Sequence, residues 1–329
     1  MNRIGWHLPI LRSERGAALL IMLLLLFTVA LAVILNGFGN RGIREREDAA
    51  TAKALMQAKE AVIAFAVMYA DNYPVGGAGI GHLMCPDTAA PAFDASGNPL
   101  APYGLPNALC GPNAIGRLPH FVTLPSGNPL PLSDYGSGID QQFWYAVANA
   151  FLANPNGGIP NIVNSTSPGT LSLDGQSDVV AVIIAPGPAL GGQNRSGTNP
   201  AAYLEAGNST GPAFVSGWPA DPANFNDRVL AIRRSDLLLP MTARVAEEMK
   251  KHLDAYHTAG GAYPADQAAF AGAFTGAPPW LATNNWLTAT TTTYTLLSGD
   301  KATLAFAGCG ITYTLTFGSS VVVRSQTHC

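Results

Sequence analysis

Charge is scarce in this sequence. Of its 329 residues only 12% are Asp, Glu, Lys or Arg, and the formal net charge is -3. Where arginines come together, at Arg41, Arg44 and Arg46, they are interleaved with Glu45, Glu47 and Asp48. A phosphate-binding surface needs clustered cations to release counterions, so nucleic-acid binding has no electrostatic support here. Histidines are few and dispersed, and His252 and His257, five apart in a helical stretch, do not share a face. No G-x-S-x-G elbow, H-E-x-x-H helix or Walker loop occurs. The chain therefore reads as a non-enzyme, with no catalytic residues and no cofactor.

Cysteine is equally sparse. Cys85, Cys110, Cys309 and Cys329 form no C-x-x-C pair, and no histidine stands at zinc-finger spacing from them. They fall into two sequence-local pairs, each closing a loop of about 20–25 residues, and a disulfide there contributes roughly 3 kcal/mol in an oxidising compartment. Four buried free thiols are the alternative; an N-terminal membrane segment favours export and so the disulfides. What the chain does hold is 35 glycines, 25 prolines and 48% hydrophobic residues. That mixture excludes wholesale disorder and indicates a loop-rich exterior protein.

The N-terminus is the most informative segment. Arg3, Arg12 and Arg15 precede a run from Ala17 to Leu35 that carries no charge. As a helix this run would rise about 28 Å, enough to cross the hydrocarbon core. The basic flank before it and the balanced flank after it place the N-terminus in the cytoplasm and the bulk outside. A secretory signal would be shorter and followed by a small-residue cleavage site. Beyond the run, Gly37, Gly39 and Gly42 weaken any helix.

Arg15-Gly16 directly before the apolar run (RGAALLIMLLLL) resembles the leader junction of type IV prepilins and type II secretion pseudopilins. The resemblance implies cleavage by a prepilin peptidase between Gly16 and Ala17, N-methylation of Ala17, and a helix that anchors in membrane lipid before joining other pilins or pseudopilins through an inner-membrane assembly platform. Most pilins carry Glu five residues into the mature chain, where this chain has Ile21. That departure points to a minor or tip subunit rather than a bulk one. Further along, QAKEAVIAFAVMYADNYP, MCPD, GRLP, FWYAVANAF, DVVAVIIAPG, GQNR, YLE and NFNDRVLAI together resemble uncharacterised bacterial prepilin-like proteins. The competing expectation is a single-span periplasmic binding module or hydrolase on an uncleaved anchor.

The fold expected is α+β: a long N-terminal transmembrane helix carrying a globular head with a second helix and an antiparallel sheet. Its parts are a leader at 1–16, a membrane or filament-core helix at 17–36, its continuation at 37–72, a loop-rich first part of the head at 73–234, and a helix plus meander at 235–329. Leu55, Val62, Phe65 and Tyr69 recur at helical spacing from Asp48 to about Ala70 and mark a core face. GGAGIGH follows a helix and lacks the P-loop lysine, so it is discounted as a phosphate site. Residues 82–150 read as loops. Val179 to Pro186 and Arg228 to Ile232 read as strands.

A helix is expected from Ser235 as N-cap to about His257, with Pro240 in its first turns. Thr290 to Ser325 alternates as an antiparallel meander of three or four strands. Both helices run into a Tyr-Pro and then a segment with Cys and Trp, which suggests two degenerate copies of a pilin-like module. Asp174, Asp178 and Asp227 lie in polar loops and are weak calcium candidates. Neither loop has EF-hand spacing, and Asx-rich turns explain them better.

Overall fold

The computed structural model describes residues 46–326, apart from 74–77, 93, 97–99, 101–102, 113, 120, 124–128, 132–141, 154–159, 196 and 217–223. By compactness the chain divides into Met1–Lys53 and Ala54–Cys329. In the first unit the described residues, 46–53, are helical.

The second unit opens on helical residues 54–67 (α1), broken at Met68 and resumed as α2 (Tyr69–Asn72). Leu55, Val62, Phe65 and Tyr69, the stripe read from the sequence, are buried along one side, together with Ala58. Phe65 meets Tyr69 edge-on at 5.5 Å and Tyr69 stacks on Tyr73 at 4.8 Å. Among the described residues twelve strands follow: β1 (Ile115–Arg117), β2 (Phe121–Thr123), β3 (Pro129–Pro131), β4 (Trp144–Val147), β5 (Leu171–Leu173), β6 (Gln176–Ala185), β7 (Ala213–Phe214), β8 (Arg228–Arg233), β9 (Thr292–Ser298), β10 (Lys301–Phe306), β11 (Ile311–Thr316) and β12 (Val323–Gln326). The longer helix α3 (Arg234–Gly260) and the short α4 (Gln267–Gly272) and α5 (Pro279–Thr283) lie between β8 and β9.

The central sheet runs β1-β4-β6-β5-β7, with β8 also paired to β6. Its axis is β6, whose residues from Val179 to Ala185 are buried, as an uninterrupted Val/Ile/Ala run requires. Register places Arg117, Trp144, Ile184 and Val229 side by side across β1, β4, β6 and β8. The second sheet, β12-β11-β10-β9, is an antiparallel meander. Ala302, Leu304, Phe306, Ile311, Tyr313 and Leu315 face inward while Thr303, Thr312 and Thr314 alternate outward. Helix α3 buries Leu238, Met241, Val245, Met249 and Leu253, and Thr242 Oγ1 meets Tyr313 Oη at 3.1 Å to join it to β11.

Two chain crossings depend on missing side chains. Gly81, at φ +98°, lies so close to α3 that a Cβ would stand 2.2 Å from Met241 Sδ. Gly308, at φ +85°, would place one 2.3 Å from the Ser165 carbonyl. The GGAGIGH segment thus uses its last glycine for close packing. His82 beside it is fully buried, with Nε2 donating to the Asn161 carbonyl at 2.8 Å and Nδ1 accepting from Gly79 N at 2.9 Å. Burial lowers its pKa, so the neutral ring is the stable form.

Several expectations need correction. The fold is mixed α/β built on two main sheets, with β5 and β7 parallel, rather than an α+β head on one long N-terminal helix. Among the described residues no helix is long and apolar enough to cross a membrane. The described helical stretch from residue 46 is too charged for that, carrying Arg46, Glu47, Asp48, Lys53, Lys59, Glu60 and Asp71 up to residue 72. The expected span at 17–36 and the glycines at 37, 39 and 42 lie outside the described residues. The 82–150 stretch is not all loop, since it supplies β1 and the fully buried β4. Helix α3 begins earlier than expected, with Arg233 at the N-cap, where Asp236 Oδ2 accepts from Arg233 N at 2.8 Å. That one bond from the Arg233 backbone N–H to Asp236 caps the helix ahead of Ser235, and the helix continues through Pro240.

Candidate functional site

The polar chemistry of the head collects at one end of the central sheet, where β1 and β6 finish and β4 and β8 start. The first node joins MCPD to GRLP. Asp87 and Arg117 exchange backbone hydrogen bonds at 2.9 and 2.8 Å, and their side chains pair through Nε and Oδ2 at 3.4 Å. Both are buried, at 1% and 2% exposure. A charge pair taken out of water survives only if its remaining bonding positions are filled. Asp87 accordingly accepts from Ala89 N at 2.8 Å and Gly104 N at 3.0 Å, and Arg117 donates to the Ala89 carbonyl. The guanidinium stands 5.0 Å from the Tyr103 ring, whose hydroxyl accepts from Gln142. Burial pushes the Tyr103 hydroxyl up to about 12. Cys85 and Cys110 are joined by a disulfide beside this node, two residues before Asp87.

The second node joins GQNR, YLE and NFND. Glu205 Oε1 accepts from Gln193 Nε2 at 2.8 Å, and Oε2 accepts from Asn226 N and Asp227 N, each at 3.1 Å. In return Asp227 Oδ2 accepts from Glu205 N at 2.9 Å and Asn208 Nδ2 at 3.0 Å. Arg195 clamps the same loops, donating to the Gly187 carbonyl at 2.6 Å and to Gln193 Oε1 at 3.0 and 3.2 Å. Asn208 also brackets Val215, accepting from its N at 2.9 Å and donating to its carbonyl at 3.1 Å. The two nodes touch through aromatic rings. Tyr203 contacts Trp144 of β4 at 5.0 Å, donates to the Arg195 carbonyl at 2.9 Å, and lies near enough to Tyr103 to act on it electrostatically.

Asp227 is the chemically distinctive group. It is 3% exposed, and its Oδ1 has no hydrogen-bond partner. Desolvation, opposed by the Glu205 and Asn208 hydrogen bonds and reinforced by the neighbouring Glu205 charge, pushes its pKa up to about 8. A buried carboxyl titrating near neutrality has the property of a general acid or base, but such a group must also reach a substrate. Here the surrounding donors are committed to holding loops together, and the arrangement acts as a brace.

The sequence-derived candidates fall as follows. Gly16 and Ala17 lie outside the described residues. Cys309 is disulfide-bonded, whereas Cys329 lies outside the described residues. Asp174 and Asp178 flank the turn from β5 to β6, apart in use from Asp227. Asp174 accepts from Ser216 N at 2.8 Å, and Asp178 pairs with Arg234 Nε at 3.0 Å. Among the described residues no group of three or more His, Cys, Asp or Glu is placed to hold a metal. Asp87, Arg117, Gln193, Arg195, Glu205 and Asn208 were not singled out from sequence. The usable signal was charge set against an apolar background, as in MCPD and GRLP, in a chain with so few charges. Comparison with protein-family models, with curated proteins and with solved structures gives no match.

Proposed function

We propose that this chain is a minor pilin or pseudopilin, a structural subunit of a type IV pilus-like or type II secretion-like filament. The observation that carries the reading is Arg15-Gly16 placed directly before the charge-free run Ala17 to Leu35. Prepilin peptidase cuts after Gly16 and methylates Ala17. The apolar segment holds the protein in the bacterial inner membrane, N-terminus inside and head in the periplasm, until an assembly platform draws it into a filament with other pilins. Ile21 removes the acidic partner that most such subunits offer a neighbour's N-terminal amine, so the chain serves at the tip or as a rare subunit.

The Cys85–Cys110 disulfide supports an exported head, because such bonds persist in oxidising compartments. Exposed Leu297, Val321 and Val323 on the C-terminal meander supply apolar area for neighbouring subunits. In a cell with prepilin peptidase, Gly16→Ala is expected to leave an unprocessed chain in the membrane. A Gly16→Ala chain cut as efficiently as the natural one would remove the basis of the reading.

A further inference from the structure

The Glu205–Asp227 node holds two carboxyl groups in one buried site. Neither has an ion-pair partner among the described residues, since Arg195 spends its guanidinium on Gln193, Gly187 and Tyr203. The other groups packed around the pair are neutral: Gln193, Asn208 and Asn226. Arg228 is the next residue along the chain. The charged group acting on Asp227 is Glu205 itself. Two like charges in one buried site repel strongly, so a proton between them is the cheaper state.

Glu205 already accepts three N–H groups. Asp227 accepts two on Oδ2, and its Oδ1 is an orphan acceptor inside the fold. A proton on Oδ1 turns that orphan acceptor into a donor.

We propose that Glu205 and Asp227 form a proton-held clasp that fastens the 203–208 segment to the start of β8 and releases it when the proton is lost. Each side chain binds the other's backbone, Asp227 taking Glu205 N and Glu205 taking Asn226 N and Asp227 N, so repulsion between the two carboxylates opens both contacts together. Release also frees Asn208 and, through it, the Val215 end of β7. The clasp closes in acidic and neutral surroundings and opens in alkaline ones.

Amide exchange on the full-length protein in detergent tests this, with peptides covering 203–208 and 224–228 corrected for base-catalysed intrinsic exchange. Between about pH 6.5 and pH 9.5 protection is expected to fall at least about tenfold in the natural chain. In Asp227→Asn, which carries the neutral side chain at every pH, it should stay within about twofold. Flat protection in the natural chain overturns the proposal, whether or not the variant folds. So does an equal loss in Asp227→Asn. If Asp227→Asn does not fold, Glu205→Gln provides the same comparison, because it removes the repelling charge from the other side.

Discussion

At the scale of single residues, the most exacting demand is placed by Asp87 and Arg117. Removing one member strands the other charge inside the protein, together with the amides of Ala89 and Gly104 that Asp87 serves. Asp87→Ala is therefore expected to destabilise the head by about 3–5 kcal/mol. Pairing it with Arg117→Met should recover part of that loss, because no buried charge then remains. Urea unfolding of the disulfide-intact protein measures both, and equal loss in single and double variants would mean the pair is incidental.

Asp227 carries the opposite pH signature from an ordinary paired carboxylate. Its pKa is raised from 3.8 to about 8 on folding. The native state thus holds a proton that the unfolded chain has lost. Its contribution to stability is complete below the unfolded value and drains away as pH rises through the folded one. Melting temperatures of the natural chain should fall relative to Asp227→Asn between about pH 5 and pH 9. A difference that stays constant with pH, or grows in the other direction, contradicts this assignment.

At the scale of elements, runs of one character were legible and pairings between distant segments were not. β6, β8, α3 and the C-terminal meander announce themselves as an apolar run, a helical stripe or strict alternation. β1 and β4 did not, because a three-residue and a four-residue strand among prolines and glycines leave too little pattern to separate from loop. The start of α3 was misplaced because Ser235 and Asp236 both suit a helix start, and only the bond to Arg233 N separates them. The polar nodes were visible as motifs without partners: Asp87 meets Arg117 across 30 positions, and Gln193, Glu205 and Asp227 meet across loops. Nothing local encodes those meetings.

Elements also reveal how sheet edges are finished. Gln267 stands beside β9 like a one-residue strand, accepting from Tyr294 N at 2.7 Å and donating to the Thr292 carbonyl at 3.3 Å. Gln267→Ala leaves both backbone groups without that partner and should cost about 1–2 kcal/mol, with faster amide exchange at Tyr294. Unchanged exchange there would show that water serves the edge equally well.

At the scale of the whole molecule, a charge-poor chain rich in glycine and proline is held by a few specific fasteners. The Cys85–Cys110 disulfide closes a separation of 25 residues next to the Asp87–Arg117 node. Replacing both cysteines with serine should cost about 3 kcal/mol in the chain-entropy account. Lys59 ties α1 to α3, donating to Asp236 at 2.6 Å and to the Ala231 carbonyl at 3.1 Å. Arg234 bridges Asp178, the Ser165 carbonyl and the Gly308 carbonyl. The buried charges of this unit brace its loops. That organisation suits the structural role proposed from Gly16 and the apolar run after it. The expected membrane segment lies outside the described residues, while the polar nodes are scattered motifs whose meeting needs three dimensions.

The central claim is processing at Gly16. The direct measurement is intact mass, with N-terminal sequencing, of the natural protein purified from bacterial membranes that contain a prepilin peptidase. The account predicts a chain that begins at Ala17 and carries one added methyl group at its N-terminal amine. A chain that retains Met1 and the whole 1–16 segment would contradict it.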